Sequence, residues 1–305
     1  MYERFYGLKE RPFDLTANPR YLFLTAKHRE ALSHLQYGVA GRKGITVLIG
    51  EAGTGKTTLV HAALESKRGH NTFVVHMSNP VLTRGEFIEF LAFAFGLRPD
   101  AHTSKTRFLL ELTRVLVDRQ TSGAGAALVI DEAQCLPHEL LEEIRLLSNL
   151  ETAVDKLLPV VLVGQPELAD RLNEPSLRQL KQRVALRCML PPLDAAETVS
   201  YVATRVQIAG GDHRELFTAA AVETMYEYSG GIPRTISVIC DNALVSGFAA
   251  DEKPVSRQTV LEVCRDFDLS PRIGVGLEPP MAEPEPASAA AAARARGGSS
   301  FFRLD

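Results

Sequence analysis

Short apolar runs alternate with amphipathic stretches through the first two thirds of the chain. The runs at 45–49, 72–76, 126–130 and 160–163 are nearly continuous in apolar and β-branched residues. Strands covered on both faces of a parallel sheet have this pattern. A weaker fifth run is 184–190. Between the runs, helical periodicity marks 57–65, 84–95, 104–118 and 138–150. The alternation predicts an α/β fold, a parallel sheet with crossover helices. After Pro191-Pro192 the strand pattern stops, and 195–209, 218–228, 233–248 and 256–267 all read as helices. This change of fold type places a boundary near residue 192. Residues 1–192 are thus expected to form an α/β domain with an N-terminal segment, and residues 193–270 a helical domain.

Residues 271–305 differ again. Five prolines precede an alanine run and Arg294-Ala295-Arg296-Gly297-Gly298-Ser299-Ser300. That composition predicts a disordered tail. Its charges cancel, Glu278, Glu283, Glu285 and Asp305 against Arg272, Arg294, Arg296 and Arg303, so it is not a basic arm. It ends in Phe301-Phe302-Arg303-Leu304-Asp305, an aromatic pair that either docks in a partner's groove or is an unconstrained end.

Composition narrows the class. With 45 % hydrophobic and 23 % charged residues among 305, the chain is ordinary globular protein. A net charge of -3 provides no global field for nucleic acid or an anionic membrane. Cys135, Cys188, Cys240 and Cys264 lie far apart, which excludes a CxxC metal or redox site and suits reduced thiols in a cytoplasmic protein. Neither a signal-peptide pattern at the N-terminus nor an apolar run long enough for a membrane helix is found in the sequence.

The chemistry concentrates at strand ends. Gly50-Glu51-Ala52-Gly53-Thr54-Gly55-Lys56-Thr57 matches GxxxxGK[ST] between an expected strand and an expected helix. Glycines there let successive N–H groups face phosphate oxygens, and the helix N-terminus adds partial positive charge. Lys56 would reach the β- and γ-phosphates of ATP and Thr57 would ligate Mg²⁺, with Thr58 the next residue of the cradle. A second run, Leu128-Val129-Ile130-Asp131-Glu132, ends in two acids about 75 residues later. Asp131 is expected to hold Mg²⁺ and Glu132 to take the proton of the attacking water. Gln165, after the run at 160–163, would orient that water. Arg234, in Gly230-Gly231-Ile232-Pro233-Arg234, is a cation at an expected helix start, where the helix dipole disfavours it. A nucleotide phosphate would compensate it. The densest basic run of the core holds Arg178, Lys181, Arg183 and Arg187. From it Arg183, just before a strand, is the candidate for a finger reaching a neighbouring subunit's ATP.

Together these residues resemble an AAA+ ATPase of the additional-strand class, and more narrowly the secretion-pathway ATPases of the ExeA type, including the branch found in exosortase and exopolysaccharide loci. The resemblance covers roughly residues 1–268. It rests on residues 1–32 (MYERFYGLKE… to LTAKHREAL), GEAGTGKTTLV at 50–60 and LVIDEAQCLPHELLEEIRLLSNLET at 128–152. It also rests on LVGQPEL at 162–168, LRQLKQRVALR at 177–187 and GGIPRTISVICDNAL at 230–244.

The resemblance implies a sheet order 5-1-4-3-2, a helical lid, and an N-terminal segment near the adenine. It puts Lys56, Thr57, Asp131 and Glu132 at the Walker A and B positions, Gln165 at sensor 1 and Arg234 at sensor 2. It also implies a homo-oligomer with shared nucleotide sites and a membrane-associated protein partner, with the chain cytoplasmic or peripheral to the inner membrane. The chain departs from the family at Cys135, where asparagine is expected. It also has the 271–305 tail where longer members carry a transmembrane helix and a peptidoglycan-binding domain, so direct action on peptidoglycan is not expected. The function implied is ATP hydrolysis coupled to assembly of an envelope secretion, pilus or exopolysaccharide-export system. A DNA-binding regulator resembling transposition target-selection ATPases is the alternative, with the basic run lining a pore. The acidic net charge weighs against DNA, and an intact Glu132 weighs against a switch that does not hydrolyse.

Overall fold

The computed structural model describes residues 1–15, 19–65, 72–153 and 155–273. The tail expected over 271–305 therefore lies outside the described residues from 274 onward.

Five strands, β1 (Ile45–Gly50), β2 (Thr72–Met77), β3 (Gly125–Ile130), β4 (Val160–Gly164) and β5 (Val184–Leu190), form one sheet in the order β2-β3-β4-β1-β5. Every pairing is parallel. This is the expected 5-1-4-3-2 order. Around it run α1 (Glu3–Tyr6), α2 (Ala26–Ala40), α3 (Lys56–Glu65), α4 (Arg84–Ala94), α5 (Lys105–Thr121), α6 (His138–Leu147), α7 (Pro166–Leu172) and α8 (Arg178–Lys181). After the sheet come α9 (Ala195–Ile208), α10 (His213–Leu216), α11 (Ala219–Ser229), α12 (Pro233–Ala249) and α13 (Arg257–Asp266).

Alternate side chains of each central strand enter opposite cores, as the two-residue period of a strand requires. Ile45, Val47, Ile49, Leu128, Ile130, Val160 and Leu162 pack in the core that α4 to α8 cover. Leu48, Ala127, Val129, Val161 and Val163 pack in the core that α2 and α3 cover. The weak sequence signal of β5 has a physical cause. It is an edge strand, with Cys188 and Leu190 buried and Ala185, Arg187 and Met189 exposed.

At Pro191-Pro192 the chain leaves the sheet, and Asp194 starts α9 in a capping box, its carboxylate accepting the Glu197 N–H at 2.7 Å. Helices α9 to α13 share a separate core with Tyr2, Tyr6, Leu8 and Phe13 of the N-terminal segment. That segment, grouped by sequence with the sheet, is thus fastened to the helices. Tyr2 donates to Asp241, the Tyr6 hydroxyl donates to the Glu252 carbonyl at 3.1 Å, and the Lys9 N–H donates to the Ala209 carbonyl at 2.8 Å. No helix among the described residues is long and apolar enough to cross a membrane.

Candidate functional site

The C-terminal edge of the sheet opens onto a cleft of about 420 Å³ between the phosphate loop, the N-terminal segment and the helical lid. Open α/β sheets bind ligands at this edge. The residues 52–58 and Glu132 line one end; Tyr21, Phe23, His28, Tyr201 and Arg205 line the other.

The loop adopts the backbone that its glycines permit. Gly53 and Gly55 have φ of +83° and +92°, values that side-chain-bearing residues rarely adopt. Gly53 has a second reason to be glycine. A Cβ there would lie 2.8 Å from Arg234 Cβ and 3.0 Å from Ile232 Cγ2. The lid therefore seats directly on the loop, and the Arg234 N–H donates to the Gly53 carbonyl at 3.2 Å.

Lys56 is buried, and its ammonium donates to the carbonyls of Gly50 at 2.8 Å and Glu51 at 2.9 Å. Burial pushes it below the usual lysine range, and the Glu132 and Asp131 carboxylates offset part of that. The Thr57 hydroxyl donates to Asp131 Oδ2 at 2.6 Å. A hydroxyl and a carboxylate side by side are hard oxygen donors of the kind Mg²⁺ takes, so the donor set fits the cation implied for it. Elsewhere among the described residues no cluster of three or more His, Cys, Asp or Glu could hold a metal.

Glu132 stands half-buried beside this pair. Its carboxyl lies below the usual range, chiefly because the Gln134 amide donates to it, with further help from Gln165 and the Lys56 charge. Gln165 Nε2 is 3.2 Å from Glu132 Oε2, so the structure brings the expected water-orienting amide and the expected base together. Arg234 is exposed at the loop, without an acidic partner among the described residues. The expected mismatch with the α12 dipole is therefore present in the structure. Arg183 lies elsewhere. It precedes β5 at the opposite, N-terminal edge of the sheet, exposed and near Glu151. It stands away from its own chain's cleft.

Three contributors escaped the sequence reading. Gln134 bridges Glu132 and the Gln165 N–H. Arg171 donates to the Gln134 and Leu136 carbonyls, both at 2.6 Å. Arg205 is buried, with Nε 2.6 Å from the Pro12 carbonyl, Nη2 3.0 Å from the Asp14 carbonyl and Nη1 2.9 Å from the Tyr201 hydroxyl. Arg205 left a trace in the sequence, an arginine on the stripe Thr198, Tyr201, Val202, Arg205, Val206 that α9 buries. Cys135 is exposed, while Cys188, Cys240 and Cys264 are buried, and all four are free.

Phosphate loop, acid-tipped central strand, sheet order and docked helical lid define an AAA+ P-loop protein. The family described as "AAA domain" matches residues 39–172. Within that class the chain is of the ExeA type. It is 42% identical to General secretion pathway protein A of Aeromonas hydrophila over 250 residues, 82% of this chain and 45% of that protein. It thus spans less than half the length of that relative. Two solved structures share the fold at low identity. Cdc6p from Pyrobaculum aerophilum has a TM-score of 0.65 and 16% identity, covering 84% of this chain and 70% of its own. The Aeropyrum pernix ORC2 protein has a TM-score of 0.62 and 15% identity, covering 85% and 72%.

Proposed function

We propose that this chain binds ATP with Mg²⁺ and hydrolyses it, and that the hydrolysis powers or regulates assembly of an envelope secretion, pilus or exopolysaccharide-export system. The observation that carries the ATPase reading is the convergence of Lys56, the Thr57–Asp131 pair and Glu132 on one end of one cleft. The pathway reading rests on the General secretion pathway protein A relative.

The N–H groups of the loop and the Lys56 ammonium bind the β- and γ-phosphates. Two of the ammonium's three donors already meet loop carbonyls, so phosphate oxygens would take the third or compete for the others. Thr57 and Asp131 would hold Mg²⁺, which when bound neutralises charge on the phosphate oxygens. Glu132, its carboxylate held by the Gln134 and Gln165 amide donors, accepts the proton of the attacking water. Gln165 fixes that water in line with the bond to be cleaved. As water oxygen bonds to the γ-phosphorus, the bond to the bridging oxygen breaks and ADP leaves. Arg234, brought by the lid, stabilises charge on the transferring group. Catalysis here is positioning plus electrostatics, so closing the lid on the loop assembles the site.

The partners proposed are a second copy of the chain, supplying Arg183 to its neighbour's ATP, and a membrane-associated protein through which a cytoplasmic ATPase acts on the envelope. Lys56→Ala is the direct test of the phosphate-loop reading. It abolishes ATP binding in a fluorescent-nucleotide titration; unchanged affinity would sink the assignment.

A further inference from the structure

More than its own strand holds the Glu132 carboxylate. Glu132 adopts left-handed backbone, φ 51° and ψ 38°, an uncommon state for a non-glycine residue. Its N–H donates to Asp131 Oδ1 at 2.9 Å. The chain then makes one 3₁₀ turn, Ala133–Cys135, which returns the Gln134 side chain to the same carboxylate. Gln134 Nε2 donates to Glu132 Oε2, and so does Gln165 Nε2. Oε1 has no hydrogen-bond partner among the described residues.

The Gln134 amide has only one workable orientation. Its Oε1 accepts the Gln165 backbone N–H at 3.1 Å. Turning the amide over would set oxygen against carboxylate oxygen and N–H against N–H. The end of β4 is shaped to admit it. A Cβ on Gly164 would lie 2.9 Å from Gln134 Oε1 and 2.8 Å from Leu168 Cδ2. Arg171, on α7, fastens the turn from behind through the Gln134 and Leu136 carbonyls. One side chain thus joins the end of β3, the end of β4 and the start of α7.

We infer that Gln134 is a positioning residue for hydrolysis. It occupies Glu132 Oε2, which leaves Oε1 as the face offered to water. It also ties the carboxylate to the Gln165 main chain, so that base and water-orienting amide move as one unit. This rests on the reading of Glu132 as the base, and the test separates the two.

Two variants of the full chain probe it. Gln134→Met keeps length and volume but loses donor and acceptor. Gln134→Glu keeps shape and acceptor but cannot donate to a neighbouring carboxylate. Melting temperature checks folding, a fluorescent ATP analogue reports affinity, and single-turnover cleavage of labelled ATP reports the chemical step. Both variants are expected to cleave about tenfold or more slowly, part of the roughly hundredfold or more that a positioned base supplies, with affinity within about twofold of wild type. Combined with Glu132→Gln, neither should slow cleavage further, because a unit already broken cannot be broken twice. Wild-type cleavage in both folded variants, with Glu132→Gln slow, would overturn the role of Gln134 and leave the base intact. Slowing that multiplies with that of Glu132→Gln, or that tracks lost affinity, would overturn it too. Wild-type cleavage by Glu132→Gln would instead remove the base reading itself.

Discussion

The seat of the lid on the phosphate loop can be tested at one atom. Gly53→Ala adds a methyl where the backbone has φ +83°, and where Arg234 Cβ and Ile232 Cγ2 stand 2.8 and 3.0 Å from the new carbon. Left-handed backbone costs a side-chain-bearing residue about 1–2 kcal/mol, and an overpacked contact costs about 1–3 kcal/mol. Arg234 Cβ is no flexible tip. It belongs to the first turn of α12, whose N–H is bound to Gly53 itself. Relief therefore requires α12 to lift from the loop, opening the cleft that Arg234 helps to close. A combined strain of about 2–5 kcal/mol, if half of it falls on the closed state, weakens ATP binding by roughly 5- to 60-fold at about 1.4 kcal/mol per decade. The assay is a titration with a fluorescent ATP analogue on folded protein. Gly96→Ala is the control. Its φ is also positive, +64°, but nothing lies within 4 Å of the added carbon, so it tests the backbone term far from the site and leaves affinity unchanged. Wild-type affinity in a folded Gly53→Ala protein would refute the lid contact as a determinant of binding.

Other outcomes follow from the same geometry. Arg183→Ala is expected to lose ATPase activity and to regain it when mixed with Lys56→Ala protein, since each then supplies what the other lacks; failure of that complementation makes Arg183 an ordinary surface arginine. Arg205→Met strands the buried Pro12 carbonyl and should cost about 1–3 kcal/mol, read by denaturant titration, with faster proteolysis within residues 1–15; unchanged stability and cleavage would contradict its role as the fastening of the N-terminal segment.

The parts legible in the sequence are those whose cause is local. Strands β1, β3 and β4 announced themselves because burial on both faces leaves almost only apolar and β-branched positions, Thr46 being the one hydroxyl, and the phosphate loop is contiguous. Helix α2 went unread because its buried stripe, His28, Ala31, Leu35, Gly38 and Val39, includes a histidine and a glycine. Gly38 is there because a Cβ would lie 2.2 Å from Thr46 Oγ1, a requirement set by β1 rather than by the helix. The aromatic residues of the N-terminal segment were visible, but which core they would enter was not. The contact that decides it, Arg205 to Pro12, spans 193 residues. Gln134 lay inside a motif that was read, yet its work depends on a backbone N–H 31 residues away, which no local pattern encodes.

The account's central claim is that Glu132 is the base of an ATP-hydrolysing site. Steady-state turnover and ATP affinity of Glu132→Gln, measured side by side with wild type, test it most directly. The variant is expected to bind ATP as wild type does and to turn over at least about tenfold more slowly. Turnover near wild type with affinity intact would contradict the claim.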